Sequence, residues 1–263
     1  MDLTTSSGTA FSLLPPHAGA AAPTLLLFAW SGSRTLEDKP YCRVGRLLHA
    51  RGWNVASLDL PCHGGDRRPG EPEELDGWAA RCAAGENIVA GFQRRVSDVL
   101  QHLIGAGVAD SARLATAGTS RGGFMAFQAA AGNPRIRAVA GFAPVTDLLA
   151  LRELAGQEDS LLVRGLALHQ AVPALAGRAA WITIGNADER VGTGRAVAFA
   201  RALTLAAHGR GPADTVVLRV LPVPGHASLP EWHDEAAEWL QAKVGSDPHG
   251  RAARQVSSTP NRM

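Results

Sequence analysis

Short apolar runs alternate along the chain with longer stretches in which apolar residues recur every three or four positions. Thr24 to Trp30 is almost continuously apolar, the pattern of a strand buried on both faces of a sheet. Tyr41 to Arg51 reads as a helix with Val44, Leu47 and Leu48 on one side, closed by Gly52. Asn54 to Leu60 is the next predicted strand, followed by the loop Pro61-Cys62-His63-Gly64-Gly65-Asp66. A long helical region is expected from Leu75 to Ile104, with Ile88, Phe92, Val96, Val99, Leu100 and Leu103 on one stripe. Arg113 to Gly118, Arg137 to Phe142, Trp181 to Gly185 and Thr215 to Leu221 complete six predicted strands, and Ser120 to Ala131 is a helix stopped by Gly132-Asn133-Pro134. Ser228-Leu229-Pro230-Glu231 fits a capping box, in which Ser228 would accept from the backbone and Glu231 reach back. Trp232, Ala236, Trp239, Leu240 and Val244 follow on one face of that last helix.

Strand–helix alternation of this kind predicts an α/β fold, a doubly wound, mostly parallel sheet with helices on both faces. Residues 1–244 are expected to form a single domain, and 245–263 a loose polar tail. Residues 147–178 are rich in leucine at helical spacing, either a small cap or an ordinary packing helix pair. Ligands on such sheets bind at the carboxyl ends of the strands, so chemistry is sought there.

Composition narrows the function classes. The 263 residues are 46% hydrophobic and 19% charged, with a formal charge of only +2. That balance suits one globular core and gives no electrostatic case for nucleic acid. Arg67-Arg68 and Arg94-Arg95 read as solvated pairs. Cys42, Cys62 and Cys82 are too few for a disulfide framework and lack zinc spacing, so no metal is expected. Met1 to Thr9 has no leader-like pattern, and the run Ala20 to Trp30 is too short to span a bilayer. A cytoplasmic setting without a membrane partner is the expectation. Walker A, G-x-G-x-x-G and H-E-x-x-H patterns are missing from the sequence, so no cofactor is expected.

The candidate chemistry centres on Gly118-Thr119-Ser120-Arg121-Gly122, a G-x-S-x-G match between a predicted strand and a predicted helix. Alone the pattern would arise in about one of six sequences of this composition, so its position decides. A sharp strand-to-helix turn holds such a serine exposed, and the helix amino terminus favours negative charge there. The bland alternative makes both glycines turn residues and Ser120 a helix N-cap. A serine hydroxyl needs a base. Among nine histidines, His226 lies in Pro224-Gly225-His226-Ala227-Ser228 after the last strand, with His63 as the rival. His17, His102, His208, His233 and His249 lie on termini or helices and are expected to be solvated. Asp188 follows the strand Trp181 to Gly185 and suits the acid that orients the base; Asp147 is its substitute, and an ion pair with Arg190 its bland reading.

With these residues in view the chain resembles α/β-hydrolases of the esterase and prolyl-oligopeptidase-like, dienelactone-hydrolase-related group. Leu58-Asp59-Leu60-Pro61-Cys62-His63-Gly64 is similar to the D-x-P-G-H-G loop of that group, with Cys62 where glycine is usual. Gly118 to Gly123 resembles its nucleophile elbow, Asn186 to Val191 its acid segment and Gly225-His226 its histidine segment. The order Ser120, Asp188, His226 is that of the α/β-hydrolase arrangement. The similarity covers roughly Thr24 to Leu240. It implies a serine hydrolase that cleaves carboxylic esters of small molecules through an acyl-enzyme. A peptidase, a thioesterase or lactonase, and a non-enzymatic ligand-binding protein are the alternatives. One departure is Ala29-Trp30-Ser31-Gly32, where such enzymes often carry H-G. The resemblance implies that the backbone amides of Ser31 and Arg121 form the oxyanion hole, with Trp30 as the alternative to Ser31.

Overall fold

The structure, a computed structural model, describes residues 1–17, 19, 21–208 and 215–245. Its strands are β1 (Asp2–Thr4), β2 (Ala10–Leu13), β3 (Ala22–Phe28), β4 (Asn54–Ser57), β5 (Ala109–Thr119), β6 (Ile136–Phe142), β7 (Ala179–Ala187) and β8 (Val216–Pro224). They form one sheet in the order β1-β2-β4-β3-β5-β6-β7-β8. β1 and β2 join antiparallel, and every pairing from β4 to β8 is parallel. The helices are α1 (Gly32–Glu37), α2 (Arg43–His49), α3 (Glu74–Ala83), α4 (Ile88–Gly105), α5 (Arg121–Gly132), α6 (Leu161–Gly165), α7 (Leu168–Leu175), α8 (Thr193–Ala207) and α9 (Pro230–Leu240). α2 packs against α9, while α4, α5, α7 and α8 form a second contiguous set. These sets cover the sheet in the doubly wound manner that the sequence predicts.

Leu25 to Phe28 and Asn54 to Ser57 are buried along their whole length, as parallel strands covered on both faces must be. Register then places the site. Phe28 pairs with Gly118, Thr119 with Phe142, and Gly141 with Ile182. Three parallel strands therefore end nearly level, and the residues just beyond them, Trp30 and Ser120, stand side by side.

Several expectations are corrected. Leu75 to Ile104 is two helices, because Gly85 takes φ +81 at the break and Asn87 then caps α4 through the amides of Val89 and Ala90. The polar amino terminus forms β1 and β2, whose short antiparallel run has too few apolar positions to signal itself. Ser228 does not cap α9. Leu229 occupies the cap position, and no side-chain cap hydrogen bond forms there. Arg95 is half-buried rather than solvated; it reaches Asp66 at 3.0 Å and donates to the carbonyl of Asp59. Apart from Gly245, the predicted tail lies outside the described residues, as does His249. Among the described residues no helix is long and apolar enough to cross a membrane.

Candidate active site

β5 runs into α5 through a turn at Ser120, whose φ is +55. A non-glycine residue there is strained, and the surrounding hydrogen bonds hold it. The Ser120 amide donates to the carbonyl of Phe142 at 2.9 Å, and its carbonyl accepts from Val145 at 3.1 Å. The glycines are required by close approach. A Cβ on Gly122 would stand 2.0 Å from the carbonyl oxygen of Phe28, and one on Gly118 would stand 2.3 Å from Gly122. Ser120 occupies the cap position of α5, yet its hydroxyl makes no cap hydrogen bond. Instead it lies 2.9 Å from His226 Nε2, so the N-cap reading does not hold.

His226 and Asp188 arrive on the loops after β8 and β7, which are tied together by the Gly225 amide donating to the Ala187 carbonyl. Asp188 Oδ2 lies 2.8 Å from His226 Nδ1, and Oδ1 accepts the amides of Arg190 and Val191. A carboxylate can only accept, so Nδ1 carries the proton and Nε2 is left to accept the Ser120 hydroxyl. Asp188 is 2% exposed, and its buried charge is satisfied by three donors. Thr193 locks the loop, accepting from the Asp188 amide and donating to the Gly185 carbonyl. Arg190 pairs with Glu153 and not with Asp188. Asp147 accepts from Leu149 and faces Arg195 at 3.5 Å, away from the histidine.

His233, expected in solvent, is fully buried. Its ring stacks on Phe142 with centroids 4.0 Å apart, and Nε2 shares a hydrogen bond with Ser228 Oγ. Burial pushes its pKa down to about 3. The serine read as a helix cap thus fastens the histidine loop to α9. His102 is also no free surface group, resting edge-on against Phe11.

His63, the rival base, is committed elsewhere. Its Nδ1 lies 2.7 Å from the Pro61 carbonyl, and Nε2 accepts from the Arg121 guanidinium at 3.0 Å. Both nitrogens are used in one neutral tautomer, and burial lowers its pKa. Cys62, which replaces the usual glycine, adopts a glycine-like φ of +61. Gly77 makes room for it; a Cβ there would come within 2.6 Å of Cys62 Cβ.

A cavity of about 210 Å³ opens over Ser120 and His226, walled by Trp30, Tyr41, Leu75 and Arg121. The sequence gives no signal for Tyr41 or Leu75, which reach the site from separate elements. No residue of 147–178 lines the cavity; Glu153 touches it indirectly by holding Arg190. The Arg121 amide is at the first turn of α5, where helix geometry leaves N–H groups without helical partners. Trp30 is at the cavity wall and its amide donates to Thr35 Oγ1, whereas Ser31 lines the adjoining recess. Among the described residues no cluster of three or more His, Cys, Asp or Glu side chains could hold a metal.

No family model matches this chain, and no curated protein matches its sequence. Solved structures do. TT1662 from Thermus thermophilus superposes with a TM-score of 0.69 at 20% identity, over 94% of this chain and 98% of its own. A cold-adapted esterase from an Arctic intertidal metagenomic library gives 0.66 at 17%, over 93% and 92%. Dipeptidyl peptidase 4 of Porphyromonas gingivalis gives 0.66 at 16%, over 93% of this chain but 35% of that one. With its sheet order, its parallel register and its strand-to-helix turn at Ser120, this chain has the α/β-hydrolase fold.

Proposed function

We propose that this protein is a serine hydrolase that cleaves carboxylic esters of small acids. The observation that carries the reading is the unbroken relay Asp188–His226–Ser120, at 2.8 and 2.9 Å, opening into one cavity. In this mechanism Ser120 Oγ attacks the ester carbonyl carbon while its proton passes to His226 Nε2. Asp188 stabilises the resulting imidazolium. The carbon–oxygen bond to the leaving group then breaks, and His226 returns the proton to the departing alcohol. Water, deprotonated by the same imidazole, releases the acid from the acyl-enzyme. The oxyanion is held by the Arg121 amide together with one from the Trp30-Ser31 turn. A cavity of about 210 Å³ favours short acyl groups over the side-chain sequence of a peptide.

The test is a fluorophosphonate probe on the purified protein, with the modified residue mapped by mass spectrometry and hydrolysis of p-nitrophenyl acetate followed in parallel. Labelling at Ser120, lost in His226→Ala, is the expected result. A folded wild type that neither labels nor hydrolyses the ester sinks the reading in favour of a ligand-binding role.

A further inference from the structure

Among the described residues four non-glycine positions hold positive φ: Cys62, Glu74, Ser120 and Ala143. Ser120 is the nucleophile of the proposed reaction. Two of the others build a structure around the residue that follows it. The Glu74 amide donates to the Cys62 carbonyl at 3.0 Å, joining the two strained residues directly. Glu74 Oε2 then accepts from Arg121 at 2.6 Å, and the same guanidinium nitrogen reaches His63 Nε2. The guanidinium carbon of Arg121 lies over the ring of Trp30, 4.4 Å from its centroid, and that of Arg34 lies 5.0 Å from the same centroid. Backbone strain of this kind persists only where surrounding contacts enforce it, and it collects at functional sites.

We propose that the Arg121 guanidinium, clamped by Glu74 and His63, is a positioning device for the oxyanion hole. This rests on the esterase reading above. Arg121 carries one candidate donor on its own backbone, and its side chain packs on Trp30, whose turn carries the other. The two amides come from different strand ends, β5 and β3, and the β3–β5 pairing ends at Phe28 and Gly118. The clamp adds a direct tie between the two turns, beside the Leu60 amide on the Trp30 carbonyl and the Gly32 amide on Asp59. It does so from the β4 side, through His63 and Glu74, neither of which lines the cavity over Ser120. Neutral His63 suits the role, since its unprotonated Nε2 can accept from a cation. A misplacement of about 1 Å in such a site is enough to cost on the order of a hundredfold in rate.

Two variants test this. Glu74→Gly removes the carboxylate and places glycine at a φ that glycine prefers, so the fold is not threatened. Arg121→Met removes the guanidinium but keeps the amide. Both are assayed for kcat and KM on p-nitrophenyl acetate, and for inhibition by a trifluoromethyl ketone whose hemiketal with Ser120 puts an oxyanion in the hole. The expected result is a fall in kcat of about 10- to 100-fold with KM within about threefold of wild type. The ketone should weaken by the same factor as kcat/KM. Unchanged kcat in Glu74→Gly, or a rise in KM alone, overturns the clamp. Should Arg121→Met fail to melt cooperatively, Glu74→Gly decides by itself. A wild type that does not label with fluorophosphonate sinks the esterase reading beneath it; an active, labelled wild type with indifferent variants sinks only the clamp.

Discussion

Asp188 holds His226 with one oxygen and the amides of Arg190 and Val191 with the other. The two sets of bonds constrain any replacement. In Asp188→Asn the carbonyl oxygen would stay with the backbone amides, turning the NH2 group toward His226 Nδ1. The imidazole would then carry its proton on Nε2 and present a donor to Ser120, the wrong tautomer for a base. Ester hydrolysis should fall by about 10⁴-fold while the melting temperature stays within a few degrees. Assays of kcat beside thermal unfolding check this; activity within tenfold of wild type would show that Asp188 does not orient the base.

His233 gives the fold a pH dependence of its own. It stays neutral in the native protein down to about pH 3 because it is buried against Phe142. The unfolded imidazole protonates near pH 6.5. Between those values the unfolded chain binds one more proton than the native protein, so acidification favours unfolding by about 1.4 kcal/mol per pH unit. Above the unfolded value the contribution vanishes. His233→Phe keeps an aromatic ring against Phe142 and removes the titration. Urea unfolding of both proteins from pH 6 to 4 should show a wild-type stability that falls more steeply by about that slope. Parallel curves would mean that the native imidazole titrates normally.

The parts of this fold set by periodicity are the parts legible in the sequence. Continuous apolar runs announce β3 and β6, and the turn glycines announce the elbow, because burial on both faces and close backbone approach each leave a residue-type signature. Ser120, Asp188 and His226, placed by strand ends in the right order, are brought together. What stayed hidden depends on partners distant in sequence. His233 looks like any helical histidine until Phe142 is placed beneath it. Glu74 shows no motif at all, and its link to Arg121 spans 47 positions. Cys62 and His63 are the clues to that region: a side chain where the loop calls for glycine conformation, beside a histidine that rivals His226 as base.

Arg81 is the pin of the loop that carries His63. Its guanidinium is 6% exposed and binds Glu71 at 2.6 Å and Asp66 at 2.8 Å, with the Asp66 carbonyl as a further acceptor. Its side-chain hydrogen bonds hold Glu71 far down the carboxylate range, at about 2. Arg81→Met would strip Glu71 of its guanidinium partner in a half-buried setting and leave Asp66 with Arg95 alone. Removing one member of such a network typically costs about 3 kcal/mol. For a chain of this size that corresponds to a melting temperature lower by about 10 °C. A calorimetric scan in which the variant melts with the wild type would place the loop's stability elsewhere.

The cysteines provide a test of how firmly this region is closed. Cys42, Cys62 and Cys82 are free and buried. Burial pushes the Cys62 thiol up to about 12 and that of Cys82 to about 11. Only the thiolate reacts, so at pH 8 about one molecule in 10⁴ carries an ionised Cys62 and about one in 10³ an ionised Cys82. Access is also blocked, Cys62 being packed against Gly77 of α3, at the end of the loop that Arg81 and Glu74 fasten. Dithionitrobenzoate at pH 8 should therefore titrate no thiol in the native protein over minutes and all three in guanidinium chloride. A single native thiol reacting quickly, mapped to Cys62, would mean that the 61–74 loop opens without global unfolding, and the Arg121 clamp could not then hold the Trp30 turn in place.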